Sequence, residues 1–346
     1  MKILIRATNW VGDAIMALPA LRAVRRRFPD AEITILALPY VADIYREQQV
    51  CDRFIVYDRG GAHRAFSGRE RLAAKLRAHK FDVALLLQNA FDAAWLAWRA
   101  GIPQRIGYAR DSRSLLLTQA VRLPRPNEIP PHEKFYYLEL LRRAGWIDSL
   151  PDESFIALNV PEQNRHRAAE FLFASGARPH AKRIAVGAGA SYGSAKCWPP
   201  ERFAEALNRL QPQIDADVIL FGTAAEASVS SAIAARVQRP PIDLTGKTAI
   251  ADLPALLSQC HLFIGNDSGA MHVAAAVGLP VVAVFGPTDP HGTAPVTSRC
   301  ALVQQRPYCS PCFLRRCPTD HRCMTAVTPQ MVESAARFWL SEVCPA

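Results

Sequence analysis

Apolar residues in the first half of the chain follow two alternating spacings. Runs of consecutive apolar residues, typical of buried strands, alternate with windows in which apolar residues recur every three or four positions, as on one face of a helix. The first run is Lys2–Ala7, and after Gly12 and Asp13 the helical spacing appears in Ile15, Leu18, Leu21, Val24 and Phe28. Repeated strand–helix units predict a parallel sheet covered by helices. We expect further strands at 32–38, 53–57 and 82–87, and helices near 41–48, 68–79, 91–100 and 132–145.

The same alternation restarts in the second half, after a weaker stretch rich in proline and asparagine. Strands are expected at 183–186, 217–221, 262–265 and 281–285, with helices near 164–175, 200–210, 224–237, 250–259 and 269–277. The boundary falls between residues 150 and 182. We therefore predict an α/β fold with two doubly wound, Rossmann-like domains, over residues 1–165 and 180–325. A last helix begins at Pro329, within a terminal segment 328–346 that the periodicity assigns to neither domain.

Length and composition agree with two globular domains in one soluble chain. A chain of 346 residues exceeds what one hydrophobic core usually organises. Half of the residues are apolar and the mean hydropathy is +0.01, which excludes both an intrinsically disordered and a membrane-embedded protein. The N-terminus reaches Arg6 too early for a signal peptide, so we expect a cytoplasmic protein with reduced cysteines.

Positive charge is concentrated in the first half. Residues 1–150 contain 24 Lys and Arg against 15 Asp and Glu, whereas residues 151–346 contain 17 against 16. The excess is therefore +9 in the first half and +1 in the second. Such an asymmetry indicates either a solvated cationic face or an anionic partner. The partner would be a nucleic acid, an acidic membrane surface, or a substrate that carries phosphate or carboxylate groups.

The most informative segment runs from Phe263 to His272. Asn266 and Asp267 follow a predicted strand, and Ser268 and Gly269 then stand at the start of a helix. Ligands of open α/β sheets bind beyond the carboxyl ends of strands, and free amides at a helix N-terminus bind phosphate. The segment therefore predicts a diphosphate site. Asp267 is alternatively only the N-cap of the helix, and His272 is either a core histidine or a phosphate or sugar contact.

Two more strand ends carry small residues. Val186-Gly187-Ala188-Gly189-Ala190-Ser191 leads to Lys196, and Phe221-Gly222-Thr223 leads to Glu226. Small residues leave room for a ligand, Lys196 can neutralise a phosphate, and Glu226 can accept hydrogen bonds from ribose hydroxyls. Together these strand ends predict a nucleotide pocket.

The first strand ends in the turn Thr8-Asn9-Trp10-Val11-Gly12-Asp13. This turn matches neither the dinucleotide fingerprint nor the P-loop, so neither type of site is supported there. The acidic residue at the end of this turn is the stronger candidate for a functional role. Asp13 is either a helix cap or a general base that faces a ligand of the second domain.

Four cysteines lie close together near the C-terminus. Cys309, Cys312, Cys317 and Cys323, with His321 among them, have a spacing compatible with tetrahedral zinc. A reduced thiol cluster or an occasional disulfide is the alternative. None of these interpretations implies a catalytic role.

Nearly the whole chain resembles the ADP-heptose:lipopolysaccharide heptosyltransferases of glycosyltransferase family 9. The resemblance lies in the blocks Trp10-Val11-Gly12-Asp13, Ala195-Lys196-Cys197-Trp198-Pro199, Asn266-Asp267-Ser268-Gly269 with Met271 and His272, and Phe285-Gly286-Pro287-Thr288. It implies a GT-B fold, in which two Rossmann-like domains face each other across a cleft and the last helix crosses back to the N-terminal domain. It also implies an inverting transfer of L-glycero-D-manno-heptose from ADP-heptose to a heptose on the Kdo–lipid A core, without a metal or other cofactor.

The resemblance assigns roles to matching residues. Asp13 is the expected general base, Lys196 the diphosphate contact and Glu226 the ribose contact. Asp267, Ser268, Gly269 and His272 are the expected donor-site residues, together with Ser191. The sequence departs from the family pattern at Cys197 and over 189–194, so Ser191 has no unique alignment. The basic first half fits an acceptor that carries carboxylates and phosphates on the anionic inner face of a membrane.

Several alternatives remain open from the sequence. Within the family, Trp10 favours a type II acceptor specificity over type I, and type III is a further alternative. A nucleotide-sugar epimerase shares the two-domain architecture but needs no acceptor. A non-catalytic nucleotide- or nucleic-acid-binding protein would explain the pI of 9.3. Aromatic residues make up only 8% and do not interleave with basic ones, so we expect no nucleic-acid partner.

Overall fold

The computed structural model describes residues 1–342, which form two compact units. Unit 1 spans Met1–Glu153 and unit 2 begins at Ser154. The division lies within the predicted interval of 150–182 but before residue 165, where the first domain was expected to end. The N–H groups of Ile156 and Leu158 donate to the carbonyls of Val296 and Ala276, which ties this connecting stretch to unit 2.

Unit 1 is one six-stranded parallel sheet with helices between its strands. The strands are β1 (Lys2–Arg6), β2 (Glu32–Ala37), β3 (Arg53–Val56), β4 (Val83–Leu86), β5 (Gln104–Tyr108) and β6 (Gln119–Val121). The helices are α1 (Val11–Met16), α2 (Leu18–Arg27), α3 (Pro39–Tyr45), α4 (Phe66–Ala78), α5 (Phe91–Arg99) and α6 (Glu133–Arg143). The strand order β3-β2-β1-β4-β5-β6 is the doubly wound order of Rossmann folds.

Unit 2 repeats this architecture. Its strands are β7 (Lys182–Gly187), β8 (Ala216–Leu220), β9 (Ile242–Asp243), β10 (Leu262–Asn266), β11 (Val281–Phe285) and β12 (Cys300–Gln304), in the order β12-β11-β10-β7-β8-β9. The helices are α7 (Glu162–Ala174), α8 (Pro200–Leu210), α9 (Ala227–Ala234), α10 (Leu253–Leu257), α11 (Gly269–Ala276), α12 (Pro290–Thr293), α13 (Arg322–Thr325) and α14 (Pro329–Glu342). The prediction of an α/β fold with two doubly wound parallel sheets is confirmed.

Some elements differ from the sequence-based expectation. Strands β5, β6, β9 and β12 were not predicted; of these, β6, β9 and β12 lie at or beside sheet edges and are short or carry polar residues. The single helix expected after Gly12 is divided into α1 and α2 at Ala17. Pro19 lies in the first turn of α2 and has no N–H to continue the hydrogen bonds of α1.

The last helix packs within unit 2. Val332, Ala336, Trp339 and Leu340 of α14 share a buried core with residues of α8 and of the second sheet. The crossing of this segment to the N-terminal domain stays a prediction, and residues 343–346 lie outside the described part of the chain.

Each sheet has one point at which the strand order reverses. In unit 1 this point lies between β1 and β4, and in unit 2 between β7 and β10. The loops after the two central strands separate there, so the carboxyl edge of the sheet has a crevice in which ligands of such folds bind. Asp13 follows β1, whereas Lys196 and Asp267 follow β7 and β10.

Asn266 braces this crevice in unit 2. It is fully buried at the end of β10, where its Oδ1 accepts the Trp198 N–H at 3.0 Å and its Nδ2 donates to the Ala188 carbonyl at 2.6 Å. The indole of Trp198 is also fully buried and donates to the carbonyl of Val327. These bonds fix both ends of the loop that carries Lys196.

We expect Asn266→Ala to lower the free energy of unfolding by about 3 kcal/mol, because it leaves a buried backbone N–H and a buried carbonyl without partners. Urea denaturation followed by circular dichroism measures this change. The matched control is Asn208→Ala. Asn208 likewise donates to a backbone carbonyl and accepts a backbone N–H, but at the surface, where water replaces the lost partners. Equal losses in the two variants would contradict the bracing role of Asn266.

Candidate functional site

The carboxylate of Asp267 joins three strand ends of unit 2. Its Oδ2 accepts a hydrogen bond from the Lys196 ammonium at 2.5 Å and another from the Thr288 hydroxyl at 2.6 Å. The side chains of Lys196 and Asp267 are only 12% and 5% exposed. The structure therefore brings together the segments after β7, β10 and β11, and it holds a lysine ammonium at the crevice.

The alternative prediction that Asp267 is a helix N-cap is wrong. The N-cap of α11 is Ser268, whose backbone is extended. The side chain of Asp267 is occupied by Lys196 and Thr288, which lie 71 and 21 residues away in the sequence. Local spacing alone could not distinguish such a long-range ion pair from a cap.

Ser268 and Gly269 form the start of α11 at the same edge of the sheet. The Ser268 hydroxyl makes no cap hydrogen bond, and its oxygen is buried without a hydrogen-bond partner in the described structure. The first amides of a helix also have no partner within the helix. A buried hydroxyl donor beside such amides, next to an ammonium, fits an anionic ligand such as a phosphate group.

Glu226 lies at the ends of β7 and β8. Its Oε2 accepts the N–H and the hydroxyl of Thr223, so Glu226 completes a capping box at the one-turn helix Ala224–Glu226. Its Oε1 lies against the backbone of Gly189, where a Cβ would approach within 1.8 Å. Glu226 is thus at the predicted edge, with one oxygen engaged in the cap and the other beside the glycine-bearing loop.

His272 and Ser191 occupy different surroundings. His272 is 4% exposed on α11, so it is part of the buried face of that helix. Ser191 is exposed on the turn before the one-turn helix Ser194–Lys196, and no hydrogen bond among the described residues joins it to Lys196 or Asp267. Ser191 stays a prediction.

Asp13 lies in the first turn of α1 and is partly buried. The prediction that it is the helix cap is wrong, because the N-cap residue is Trp10 and Asp13 is the third residue of the helix. The carboxylate faces two buried phenols. Burial raises the pKa of Tyr137, and the negative charge of Asp13 raises it further; burial likewise raises the pKa of Tyr45, to which Asp13 also contributes.

A buried arginine that sequence reasoning missed positions the turn before Asp13. Arg6 is 1% exposed, and its guanidinium donates to the Ala7 carbonyl at 2.6 Å and to Asn9 Oδ1 at 2.8 Å. Tyr40 donates to the Asn9 carbonyl at 2.7 Å. Burial lowers the pKa of Arg6 to about 10, so it remains cationic at neutral pH. The signal in the sequence was a charged residue at the end of the apolar run Ile3–Ile5.

Arg113 plays a similar part at the end of β4. It is fully buried, and its guanidinium donates to the carbonyls of Gln88 and Tyr108 and to Asn89 Oδ1. Asn89 in turn donates to the hydroxyl of Tyr136 at 2.8 Å. Two arginines therefore shape both sides of the crevice in unit 1. Nothing in the local pattern around Arg113 distinguishes it from the exposed arginines nearby.

The cysteine-bearing segment contacts the loop of Lys196. The carbonyl of Ala195 lies 2.7 Å from His321 Nε2, and the N–H of Ala195 donates to the Arg315 carbonyl at 3.1 Å. Tyr192 donates to the Phe313 carbonyl, and a Cβ at Gly193 would lie 2.3 Å from the Arg315 oxygen. This close packing makes the segment a support for the loop that presents Lys196.

The cysteines themselves are free thiols in the structure. Burial raises the pKa of Cys323 to about 11, and the nearby Cys312, Cys309 and Cys317 contribute in the same direction. Within residues 1–342 no three His, Cys, Asp or Glu side chains are arranged to hold a metal ion. The zinc-like spacing therefore has no counterpart in the geometry of the described cluster.

Solved structures share this architecture over the full chain. The chain is similar to the ADP-heptose LPS heptosyltransferase II of E. coli, with a TM-score of 0.83 and 27% identity, covering 99% of this chain and 100% of that one. It also matches a family 9 glycosyltransferase from Veillonella parvula in fold, with a TM-score of 0.86, 24% identity and coverage of 99% and 97%. These similarities confirm the predicted GT-B fold class.

Sequence relatives agree with the structures. The chain is 29% identical to lipopolysaccharide heptosyltransferase 2 of Salmonella typhimurium, over 99% of both chains. The model of glycosyltransferase family 9 (heptosyltransferase) matches residues 69–322, a range that includes Lys196, Glu226, Asp267 and the first three cysteines of the cysteine segment. The chain therefore belongs to glycosyltransferase family 9, the heptosyltransferase family.

Proposed function

We propose that this protein transfers L-glycero-D-manno-heptose from ADP-heptose to a heptose of the lipopolysaccharide inner core, with inversion at the anomeric carbon. The observation that carries the proposal is the cluster in which Lys196 pairs with Asp267 beside the unpartnered hydroxyl of Ser268. Six curated relatives at 27–29% identity are named heptosyltransferase 2, which supports this donor and acceptor class.

The donor diphosphate binds at the carboxyl edge of the second sheet. Lys196 supplies a positive charge, while Ser268 and the first amides of α11 donate hydrogen bonds to phosphate oxygens. The Lys196 ammonium also donates a hydrogen bond to Asp267, which holds the lysine side chain in one orientation. Glu226 Oε1 accepts a hydrogen bond from a ribose hydroxyl, because the capping box uses only the other carboxylate oxygen, Oε2. His272 supports this site from the buried face of α11.

The chemical step is a single displacement. The acceptor hydroxyl oxygen forms a bond to the anomeric carbon, the bond from that carbon to the diphosphate oxygen breaks, and ADP leaves. The proton of the hydroxyl passes to the carboxylate of Asp13. Lys196 and the helix amides stabilise the negative charge that develops on ADP.

No metal ion or other cofactor is required in this scheme. A lysine ammonium and a helix N-terminus carry out the charge stabilisation that a divalent cation provides in other transferases. We therefore expect transfer to continue in the presence of a chelator.

The acceptor is a heptosylated Kdo–lipid A core at the cytoplasmic face of an anionic membrane. Within residues 1–342 no helix is long and apolar enough to cross a membrane. Peripheral contact, favoured by the basic charge of unit 1, would bring the enzyme to this acceptor. Nucleic acid is not an expected partner.

One incubation experiment distinguishes the proposed activity from the related activities of a type I enzyme and an epimerase. Purified protein, ADP-heptose and a chelator are mixed with heptose-free or with singly heptosylated Kdo2–lipid A, and the products are weighed by mass spectrometry. A gain of one heptose on the heptosylated acceptor alone is the expected result. A gain on the heptose-free acceptor would indicate a type I enzyme, and conversion of the donor without any acceptor would indicate an epimerase.

We expect Asp13→Asn to lower kcat about a thousandfold, because the amide cannot take the acceptor proton. Binding of ADP-heptose, measured by calorimetry, should stay close to wild type, since the donor site lies in unit 2. Asp43→Asn, which removes a partly exposed carboxylate on α3, is the matched control and should leave both quantities unchanged. Turnover near the wild-type rate in Asp13→Asn would exclude Asp13 as the base.

We expect Lys196→Met to lower kcat/KM about a hundredfold to a thousandfold, because the charge on the departing diphosphate loses its ammonium partner. Steady-state kinetics with varied ADP-heptose measure this loss. The control is Lys182→Met, at the amino end of β7, the same strand that Lys196 follows at its other end. If both variants lose activity equally, the effect of Lys196 is structural and not electrostatic.

A further inference from the structure

Helix α5 carries a row of three aromatic side chains, of which the two outer ones are exposed. Phe91, Trp95 and Trp98 are four and three positions apart, so they lie on one face of the helix. Phe91 is 48% exposed and Trp98 49%. The exposed ring of Phe66, at the start of α4, lies 5.6 Å from Trp95 and extends the row onto the neighbouring helix.

Trp95 is half-buried and packs against the core of unit 1, whereas the rings of Phe91 and Trp98 are exposed on either side of it. The opposite face of α5 provides the buried residues Ala93, Ala94, Leu96 and Ala97. Leu115, which is 96% exposed, lies on the one-turn helix Ser114–Leu116 that contacts α5. Monomeric proteins rarely expose several large apolar side chains side by side, and such patches usually mark interaction sites. We call this surface, formed by α4, α5 and residues 114–116, the α4–α5 surface.

The positive charge of unit 1 is concentrated in the same part of the chain. Residues 59–118 contain 11 Lys and Arg against 4 Asp and Glu, an excess of +7, and residues 1–153 contain 24 against 17, also +7. The net charge of unit 1 thus resides in the stretch that includes the α4–α5 surface. Many of its basic residues are exposed, among them Arg59, Arg64, Arg71, Lys75, Arg77, Lys80 and Arg110.

We propose that the α4–α5 surface docks on an anionic phospholipid bilayer. Basic side chains are attracted to anionic headgroups, and Trp and Phe insert at the level of the membrane interface. A second copy of the chain is a poorer occupant, because the two positive surfaces would repel each other. The proposal rests on the proposed function, in which the acceptor is anchored in such a bilayer, and it names the residues that bring the enzyme to it.

Vesicle sedimentation tests this surface directly. The protein is mixed with vesicles of phosphatidylcholine alone or of phosphatidylcholine with phosphatidylglycerol, and the bound fraction is measured at low and high salt. We expect binding to the anionic vesicles only, weakened by salt. Equal binding to both vesicle types, or to neither, would overturn the proposal.

Two double variants separate charge from aromatic insertion. Arg64→Glu with Arg71→Glu should weaken vesicle binding by at least tenfold, since each basic side chain near the membrane contributes about fivefold. Phe91→Ser with Trp98→Ser should weaken it to a similar extent, with less dependence on salt. The matched control is Arg167→Glu with Phe171→Ser, an exposed cation and a 40% exposed ring on α7 of unit 2, which should bind like wild type.

A soluble acceptor separates this proposal from the proposed function. Transfer to a deacylated core oligosaccharide should be the same in wild type and in all these variants, whereas transfer to acceptor embedded in vesicles should fall with vesicle binding. No transfer to either acceptor by the wild type would contradict the proposed function and leave the vesicle result to stand alone. Self-association of the wild type in ultracentrifugation, lost in Phe91→Ser with Trp98→Ser, would overturn the proposal in favour of a second copy.

Discussion

The ion pair between Asp267 and Lys196 is the constraint on which the rest of unit 2 depends. Both side chains are nearly buried, and a buried charge without a partner is strongly unfavourable. Each therefore fixes the other, and Thr288 adds a third strand end to the same carboxylate oxygen. Asn266, one position earlier, fixes the backbone on both sides of the Lys196 loop. Adjacent residues of one strand end thus organise both the charge and the framework of the crevice.

Unit 1 reaches a comparable result with different chemistry. There the crevice is shaped by two buried guanidinium groups, Arg6 and Arg113, which donate to backbone carbonyls and asparagine oxygens at the ends of β1, β4 and β5. Each arginine has several donors in one plane, so a single side chain can hold several turn residues at once. The same strand order therefore has two buried arginines at its crevice in unit 1 and a lysine–aspartate ion pair at its crevice in unit 2.

Sequence patterns predicted the central strands and the residues that follow them, because buried parallel strands are apolar and their carboxyl ends carry the polar side chains. Lys196, Glu226 and Asp267 were selected as candidates in this way. The edge strands β6, β9 and β12 were not predicted because they are short or contain polar residues. The structural roles of Arg6, Arg113 and Asn266 were not predicted. Their hydrogen-bond partners are distant in sequence or are backbone carbonyls, and residue spacing indicates neither. The cap assignment of Asp267 failed for the same reason, whereas that of Asp13 failed because α1 already begins at Val11.

The contact between Gly189 and Glu226 links two loops that are otherwise separate. The carboxylate occupies the space that any side chain at position 189 would need, and its other oxygen holds the first turn before α9. A larger residue at 189 would therefore act on a helix start 37 positions away, by displacing the glutamate from its cap. In evolution the two positions are expected to be epistatic: a change at one becomes tolerable only after a compensating change at the other.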